Sequence, residues 1–509
     1  MATESYESNK FQFPGEFRCS EVALISLSGN IAGIKSSITE LNIYEGLTNN
    51  FITGDVTFVD TANLLDEMPI TGAEYLDFKI RTPIKSMYRD DNDNFADKGG
   101  YDFTNRRMAV YKILNKTQLS GGTTQVTLGF ISPEAIRNQN VRVSRAFDGS
   151  YDKAVADIFK KEYCLNSKRK FYLQETKNNF KFVAPNKRPV DVINMIASRA
   201  EPKRSALPGY LFYENGQGFH FRSLDSFFFP VTEGFTPIPE MFEFFCTDEP
   251  VQNTMPKNET PLRQLRFAKS YKLSNYVDLI RMQRSGAFAS QLISYDAYNK
   301  TFSKHNHNYL DDFVRVPHLE KDDDGIDSIS YTGLAPNAHY DPTDFSATNS
   351  TSFGRTQYNT ISDYSQARIM VTSDTANTHN TNMSEGYRTK DTLQKRAMSL
   401  ELLNTIQLEL TTHGNTHLNA GHIIRVNLPR PGQGKTDVKT TQYDKALSGR
   451  WLITAVRHKF NFGDTLHQSV YTCIKETYNR QVHRGGSPNK LTVEDEGKPL
   501  NLYDRRAYI

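Results

Sequence analysis

A glycine-rich loop near the carboxyl end is the first candidate for chemistry. In PRPGQGKT, Gly434, Lys435 and Thr436 match the end of the phosphate-binding pattern G-x-x-x-x-G-K-[ST], whose backbone N–H groups and lysine hold phosphate oxygens. Pro429 stands where the first glycine is required and supplies no N–H, and no apolar helical period follows Thr436. We therefore interpret the stretch as a solvated hairpin loop between HIIRVNL and RWLITAV. A nucleotide-dependent enzyme using Lys435 remains the alternative.

A histidine cluster is the second candidate. His413, His417 and His422 lie in HGNTHLNAGH, and the first two have the i, i+4 spacing that can bind zinc on a helix. Gly414 and Gly421 disfavour a helix, and no glutamate lies between the histidines as H-E-x-x-H requires. The pattern favours a polar hairpin turn between NTIQLEL and HIIRVNL, and metal binding by this stretch stays open.

Other catalytic patterns are missing from the sequence. EKDDDGIDSISY places Gly325 at the sixth position of a calcium loop, but Tyr331 stands at the twelfth, where a bidentate carboxylate is needed. No G-x-S-x-G elbow occurs. We therefore assign no catalytic, cofactor-binding or metal residue, and we expect a protein that is not an enzyme.

Composition narrows the class of protein. The 509 residues carry 61 Lys plus Arg against 58 Asp plus Glu, a net charge of +3 that requires no nucleic-acid partner. Apolar residues make up only 38%, which indicates folded modules with polar insertions. No targeting segment or apolar run of membrane-spanning length occurs, so we expect a soluble protein. The four cysteines (Cys19, Cys164, Cys246, Cys473) are far apart and suggest neither a zinc site nor disulfides, which fits a reducing compartment.

Antiparallel strands are predicted from residue 20 to about 131. In YLDFKIRT, Leu76, Phe78 and Ile80 alternate with polar residues, and FITGDVTFV repeats the pattern. VYKIL and TTQVTLGF flank a turn at Gly121-Gly122. A small barrel or sandwich follows from this pattern.

The period changes to helical after Asp148. SYDKAVADIFKKEY predicts a helix with Ser150 as N-cap, and a second helix is predicted over 188–200. Asn215-Gly216 then marks a hairpin in GYLFYENGQGFHFRSL. Residues 303–385 are predicted to be long polar surface loops, followed by a helix over 391–403, further strands, and an extended arm over 481–509.

An internal repeat is a further hypothesis. VYKILNKTQLSGGTTQVTLGFI and RWLITAVRHKFNFGDTLHQSVYTCI both consist of a long strand, a glycine turn and a second long strand. Their similarity in letters is slight, so two copies of a related barrel and two unrelated hairpins are both compatible with the sequence.

One segment resembles a known family. ITELNIYEGLTNNFITGDVTFVDTANLLDEMPITGAEYLDFKIRTP has the order of elements found in the amino-terminal barrel of the central baseplate hub proteins of T-even-type contractile-tailed phages. The middle of the chain, about 181–228 and 286–302, resembles the same family. The residues that carry the likeness, and to which it gives structural roles, include Tyr44, Glu45, Gly54, Asp60, Pro69, Gly72, Glu74, Tyr75, Phe78, Gly216, Phe221 and Asp296.

The resemblance implies a mixed, mainly β fold with two antiparallel tube-type β-barrels, an inserted α/β region and long polar loops. The expected domains are a first barrel over 1–145, a helical segment over 146–205, the first part of a second barrel over 206–249, the rest of the middle region over 250–400, the second part of that barrel over 401–480, and the arm over 481–509. The stretch 303–385 and the arm depart from the family pattern.

The resemblance also implies a function. Such proteins form a homotrimeric ring that connects the tail tube to the central spike and lets DNA pass through its channel. The implied partners are the spike, tail tube or tube-initiator proteins and baseplate wedge proteins, with no stable membrane association. The implied location is the virion, after assembly in the host cytoplasm. A spike-type secretion effector built on the same barrels is a second alternative.

Overall fold

The computed structural model describes most of the chain. The described residues are 11–61, 63–84, 99–104, 107–119, 122–177, 179–203, 208–227, 242–246, 260–276, 278–296, 300–309, 319, 365–373, 389–402, 406–429, 443–444 and 447–476. Within these ranges, no helix has the length and apolar character needed to cross a bilayer. The loop around Lys435 and the arm over 481–509 lie outside the described residues.

The amino-terminal part is built from short antiparallel strands around one core. Its elements are β1 (Arg18–Cys19), β2 (Ala23–Ile25), β3 (Ile31–Gly33), β4 (Ile38–Gly46), β5 (Thr53–Asp60), α1 (Leu64–Glu67), β6 (Tyr75–Asp77), β7 (Lys79–Arg81), β8 (Tyr101–Asp102), β9 (Met108–Gln118) and β10 (Thr124–Ile131). The alternation in the sequence is confirmed, because Leu76, Phe78 and Ile80 are all fully buried.

The YLDFKIRT strand is broken at Phe78. Its first part, β6, pairs with β2 and β9, whereas its second part, β7, pairs with β1 and β8 in a separate three-stranded sheet. Phe78 lies at the corner and packs edge-to-face against Phe103 and Phe130, with ring centroids 5.1 and 5.8 Å apart. The bend lets two sheets enclose one core.

The middle of the chain forms a helical module. It contains α2 (Pro133–Asn140), β11 (Ala146–Ser150), α3 (Tyr151–Lys160), β12 (Phe171–Leu173), β13 (Asn179–Val183), α4 (Pro189–Ala197), β14 (Tyr210–Asn215) and β15 (Gly218–Ser223). Both predicted helices are confirmed, and Ser150 occupies the N-cap of α3. Its hydroxyl makes no capping hydrogen bond, however. The N–H of Asp152 donates instead to Thr176 Oγ1, 3.2 Å away.

The Asn215-Gly216 hairpin is confirmed, but its sheet differs from the expected one. β14 pairs with β15, and β15 pairs in parallel with β12, so the hairpin shares a sheet with β12 and not with the strands of the second expected barrel, although Tyr213 packs into the core around Trp451. Phe212, Phe219 and Phe221 belong to the same apolar cluster as Val155 and Ile193 of the helices. The domain boundaries themselves remain a prediction.

The rest of the chain completes the sheet structure. Its elements are β16 (Phe242–Phe245), α5 (Thr260–Gln264), β17 (Ala268–Tyr276), α6 (Leu279–Ser285), β18 (Ala289–Asp296), β19 (Thr301–Asn308), β20 (Ile369–Ser373), α7 (Thr389–Leu402), β21 (Ile406–His413), β22 (Ile423–Asn427), β23 (Gly449–Asn461) and β24 (Leu466–Lys475). β22 and β23 are antiparallel neighbours, which agrees with a hairpin connection across PRPGQGKT. Trp451 is fully buried in the core of this part.

The prediction of loops throughout 303–385 is wrong at two places. β19 continues to Asn308, and β20 pairs in parallel with β18 over Ile369–Ser373. The three apolar residues of β20 were too short a run to show a period, and a strand that pairs with a partner some 75 residues away leaves no local signal. The helix expected at about 391–403 is confirmed as α7.

Eight antiparallel strands from both parts lie side by side in one thirteen-stranded sheet. Their order is β17, β21, β24, β23, β4, β5, β10, β9. We call β4, β5, β9 and β10 the first repeat, and β17, β21, β23 and β24 the second repeat. Numbered by their order in the chain, the four strands of each repeat lie in the sheet in the order first, second, fourth, third. Both repeats run in the same direction along the sheet. The mainly β prediction is confirmed, and the two hairpins proposed as a repeat, β9–β10 and β23–β24, occupy equivalent places.

Candidate functional site

A buried polar loop joins the major parts of the molecule. Residues 414–422, here the junction loop, lie between β21 and β22, which do not pair with each other. The prediction of a polar hairpin turn is therefore wrong. Asn415, Thr416 and Asn419 are almost completely buried, and the loop packs where the first repeat, the second repeat and the β14–β15 hairpin meet.

Glu45 of β4 lies at the centre of this junction. Its carboxylate accepts hydrogen bonds from the Tyr101 hydroxyl (2.8 Å), the Gly216 N–H (2.5 Å) and the Ala420 N–H (3.1 Å). Burial raises the pKa of Glu45 to about 7, although these donors act to lower it. One side chain therefore links the first repeat, the hairpin and the junction loop.

Glu214, on β14 of the hairpin, makes a second set of contacts to the first repeat. It accepts hydrogen bonds from the Ser132 hydroxyl (2.6 Å) and the Ile52 N–H (3.0 Å), and it forms an ion pair with Arg169. The Asn50 side chain also donates to the Phe212 carbonyl, 2.7 Å away. These contacts fix the helical module to the turn between β4 and β5.

The junction loop is held on its other side by reciprocal bonds. The Thr82 N–H donates to Thr416 Oγ1 (2.9 Å), and the Thr416 N–H donates to Thr82 Oγ1 (3.1 Å). The Asn215 amide donates to the Ala420 carbonyl, 3.1 Å away. Buried polar groups need such partners, because an unsatisfied one costs about 1–3 kcal/mol.

Two further histidines lie beneath the junction loop. His458 Nδ1 is 3.0 Å from His467 Nε2 and 3.0 Å from Ser469 Oγ, and all three residues are completely buried. Burial lowers the pKa of His458 to about 3 and holds the pKa of His467 well below its ordinary value, so both rings stay neutral. A serine beside an imidazole resembles a nucleophile with its base. Here the three side chains are enclosed in the core and lie within hydrogen-bond distance of one another.

The three candidate histidines of HGNTHLNAGH form no metal-binding group among the described residues. His417 and His422 lie in the junction loop, and His413 is the half-buried last residue of β21. The His422 Nδ1 accepts the N–H of Asn419 at 3.1 Å, and burial lowers its pKa to about 3. Across the described part of the chain, no group of three or more His, Cys, Asp and Glu side chains has metal-binding geometry. The four cysteines are unpaired.

Among the residues of the family resemblance, only Glu45 and Gly216 meet at the junction. Gly54 lies in the first core, where an added Cβ would come 2.2 Å from Phe130 Cζ and 2.4 Å from the Asn42 carbonyl oxygen. Phe221 is buried in the helical module. Gly54 and Phe221 therefore have packing roles.

Other resemblance residues shape loops at the rim of the first core. Asp60 accepts the Leu64 N–H at 2.9 Å and so begins α1. Glu74 accepts the N–H groups of Thr71 and Gly72, both at 2.8 Å. Although burial opposes it, these donors lower the pKa of Glu74. Gly72 has a φ of +92°, which favours glycine.

The remaining resemblance residues are more peripheral. Pro69 is exposed, and Tyr75 is 39% exposed at the start of β6. Asp296 ends β18 opposite Thr301. Tyr44 lies under the guanidinium of Arg457, 5.7 Å from its ring centroid.

Tyr44 belongs to a polar face that crosses the boundary between the repeats. The Glu40 carboxylate forms ion pairs with Lys459 at 3.0 Å and with Arg457 at 3.7 Å. The Asn42 side-chain amide donates to Asp55 and to Glu40, both at 2.8 Å. We call the side of the sheet formed by these residues the polar face. Its acidic and basic groups are paired, so it presents a hydrophilic wall of low net charge.

Both ends of the eight-strand order are open among the described strands. Beyond Val110, β9 pairs only with β10, and β17 pairs only with β21. Tyr111, Ile113 and Leu114 on β9 are 40%, 43% and 46% exposed, and Tyr271 on β17 is 41% exposed. Such edges can accept another strand.

Solved structures with a similar chain course come from phage tails and a secretion system. The 43 kDa tail protein of prophage MuSo2 from Shewanella oneidensis is 11% identical, with a TM-score of 0.45 over 90% of this chain and 98% of that one. The tail protein from Neisseria meningitidis MC58 is 10% identical, with a TM-score of 0.46 over 91% and 97%. The Escherichia coli c3393 protein, a type VI secretion component, is 9% identical, with a TM-score of 0.36 over 89% and 76%.

These neighbours are of the kind that the sequence resemblance predicts. Their identities and TM-scores are too low to assign a family or a function. No protein-family model matches the sequence. No curated protein matches it.

Sequence patterns missed most of the junction. Glu214, Asn415 and His467 carry no motif, and their partners lie far away in the chain. One signal was available: TTHGNTHLNAGH contains no Asp, Glu, Lys or Arg, which is unusual for a solvated turn.

Proposed function

We propose that this chain is a structural baseplate hub protein of a contractile phage tail. The observation that carries the proposal is the head-to-tail order of two four-strand repeats in one sheet, in which, among the described strands, β17 and the part of β9 beyond Val110 each have one edge without a partner strand. A contact of this type presents one surface to the next unit and closes into a ring when the rotation is complete. The resemblance of residues 38–83 to hub proteins supports the same interpretation.

A homotrimer is the ring that this arrangement favours. Three chains contribute three first repeats and three second repeats, so the wall contains six similar units while the whole assembly has threefold symmetry. Such a ring matches a sixfold tail tube on one side and a threefold spike on the other. We propose tube or tube-initiator proteins, the central spike and wedge proteins as its partners, and the virion baseplate as its location.

The polar face is suited to the wall of the channel. DNA binding depends on cations that neutralise phosphates. Here Lys459 is 3.0 Å from Glu40, and Arg457 is shared between Glu40 and Asn42. Paired cations of this kind lower the affinity for a passing duplex, which lets DNA move through without being held.

A structural role also agrees with the chemistry of the junction. His422, His458 and His467 are buried with lowered pKa values and are therefore neutral, and the Glu45 and Glu214 carboxylates accept internal donors. A nucleotide-dependent enzyme would instead need the loop at Lys435, and a spike-type effector would carry a needle or lytic domain.

The mass and shape of the purified full-length protein test the proposal. Native mass spectrometry is expected to give three chains, and electron microscopy is expected to show a ring with an open axial channel. Both measurements are made on the protein alone and in the presence of its spike partner. A stable monomer in the presence of the spike, or a dimer without a central hole, would refute the hub assignment.

A further inference from the structure

The two repeats share a bulge at the same place in β9 and β23, in addition to their strand order. In β9, Tyr111 is an extra residue between the pairs Val110–Phe130 and Lys112–Gly129. In β23, Thr454 is an extra residue between the pairs Ile453–Cys473 and Ala455–Thr472. The two bulges fall at the same place relative to the core, because Phe130 and Cys473 are both fully buried.

The first strands of the repeats share a second bulge. Thr39 is the extra residue in β4, between Ile38 opposite Phe58 and Glu40 opposite Thr57. In β17, Lys269 is the extra residue, between Ala268 opposite Thr412 and Ser270 opposite Thr411. These matches align β9 with β23 and β17 with β4. β9 has one further extra residue, Leu114, and β17 has one, Ser274, so equivalent positions are counted through the regular partner strands β10 and β24, and β5 and β21.

The chain already contains one contact between repeats. β23 of the second repeat pairs antiparallel with β4 of the first over seven residues, including Lys459 opposite Asn42 and Phe460 opposite Leu41. By the equivalence above, the free edge of β9 corresponds to the bonded edge of β23, and the free edge of β17 corresponds to the bonded edge of β4.

We infer that β9 of one subunit pairs antiparallel with β17 of a second copy of this chain, in the register of the internal β23–β4 contact. The inference rests on the proposed ring and specifies the surface that closes it. Each subunit offers one β9 edge and one β17 edge, so the sheet continues from copy to copy until the ring shuts.

The transferred register names the opposing residues. Thr117 of β9 is equivalent to Lys459 of β23, because Thr117 pairs with Gln125 as Lys459 pairs with Gln468. Lys272 of β17 is equivalent to Asn42 of β4, because Lys272 pairs with Glu409 as Asn42 pairs with Asp55. Since Lys459 pairs with Asn42 inside the chain, Thr117 faces Lys272 of the neighbouring copy. By the same rule, Gln118 faces Tyr271.

The charges on the two edges bear on how tightly they join. Lys112 and Lys116 lie on β9, and Lys269 and Lys272 lie on β17. Lysines on edge strands discourage indiscriminate pairing. A negative charge at position 117 would therefore tighten the contact with Lys272, and a positive charge there would loosen it.

Cysteine pairing in the full-length protein tests the register. Directly opposite residues have Cα atoms about 4.5–5.5 Å apart, within the range of a disulfide, whereas a diagonal pair is about 7–8 Å apart. Under mild oxidation, Thr117→Cys combined with Lys272→Cys is expected to link most chains into covalent dimers and trimers. The matched control, Thr117→Cys with Ser270→Cys, shifts one partner by two residues on the same face and is expected to link at least fivefold less. Mixing the two single variants must give linked dimers, which proves that the bond joins different chains.

A charge exchange provides a second measurement. Thr117→Asp should lower the concentration at which oligomers half-assemble by about two- to fivefold, and Thr117→Lys should raise it similarly. Adding Lys272→Glu to Thr117→Lys should restore assembly. Trimers that form without linkage through 117 and 272, and without response to these charges, would overturn this inference and leave the ring proposal standing. A protein that never assembles would overturn both.

Discussion

The central test of the junction is the replacement of Glu45 by glutamine. The side chain keeps its size, and its carbonyl oxygen can still accept from Tyr101 and Gly216. The new NH2 group faces the N–H of Ala420, which loses its acceptor. The substitution also removes a buried ionisable group, so the comparison of wild type with Glu45→Gln isolates the protonation of this carboxyl.

The magnitude follows from the pKa of Glu45, which burial raises from 4.5 to about 7. One pKa unit is worth about 1.4 kcal/mol, so the full effect is about 3 kcal/mol. Because the folded-state pKa lies above the unfolded-state value, the folded chain binds more protons between these pH values. Relative to Glu45→Gln, the wild type should therefore gain about 3 kcal/mol as the pH falls from 8 to 4.5.

Trp451 supplies the assay. It is the only tryptophan, and it is fully buried, so its fluorescence reports unfolding in urea. The free energy of unfolding is measured for both proteins at several pH values, and effects of the histidines cancel in the difference. Glu74→Gln is the control of opposite sign, because the pKa of Glu74 is lowered and its contribution is lost as the pH falls. A wild-type minus Glu45→Gln difference that does not change with pH would show that Glu45 ionises as in water, and the account of a dry junction would be wrong.

The remaining predictions concern other parts of the chain. Burial lowers the pKa of His458 from 6.5 to about 3, so the free energy of unfolding should decrease as the pH drops below 6.5. At pH 5 the decrease due to His458 should be about 2 kcal/mol. His458→Gln should remove this part of the pH dependence in the same urea assay. Gly54→Ala should destabilise the fold by about 3 kcal/mol, since its Cβ would come 2.2 Å from Phe130 Cζ. Gly122→Ala, with a φ of +79° but open space around it, should cost about 1 kcal/mol. Lys435→Ala should leave any basal ATPase rate unchanged, and nucleotides should not raise Tm in either protein, since a ligand bound only to the folded state must stabilise it.

Local patterns in the sequence were enough for the local structure. The alternation in YLDFKIRT placed Leu76 and Ile80 in the core, and Asn215-Gly216 gave a hairpin, because both signals depend on neighbouring residues. The sheet to which that hairpin belongs was not predictable, since its partner β12 is joined through only three residue pairs.

The junction also depends on residues that are far apart in the chain, which sequence patterns do not reveal. A polar run such as HGNTHLNAGH has the same letters whether water or protein satisfies its hydrogen bonds. The partners of Thr416 and Ala420 are Thr82 and Glu45, more than 300 positions away. The resemblance to hub proteins singled out Glu45 and Gly216 but said nothing of why they matter. Their 2.5 Å contact supplies that reason.

The matched bulges at Tyr111 and Thr454 bear on the ancestry of the chain. Duplication of one segment, followed by independent divergence, accounts for two hairpins that share an irregularity of backbone but few letters. Strand pairing through main-chain hydrogen bonds places little demand on side-chain identity, so substitutions accumulate without disturbing the wall. The segments that join the first and second strands differ in length between the repeats. Six residues separate β4 from β5, whereas a long insertion separates β17 from β21. A duplication of this kind leaves its trace in strand order and bulge position longer than in the letters of the sequence.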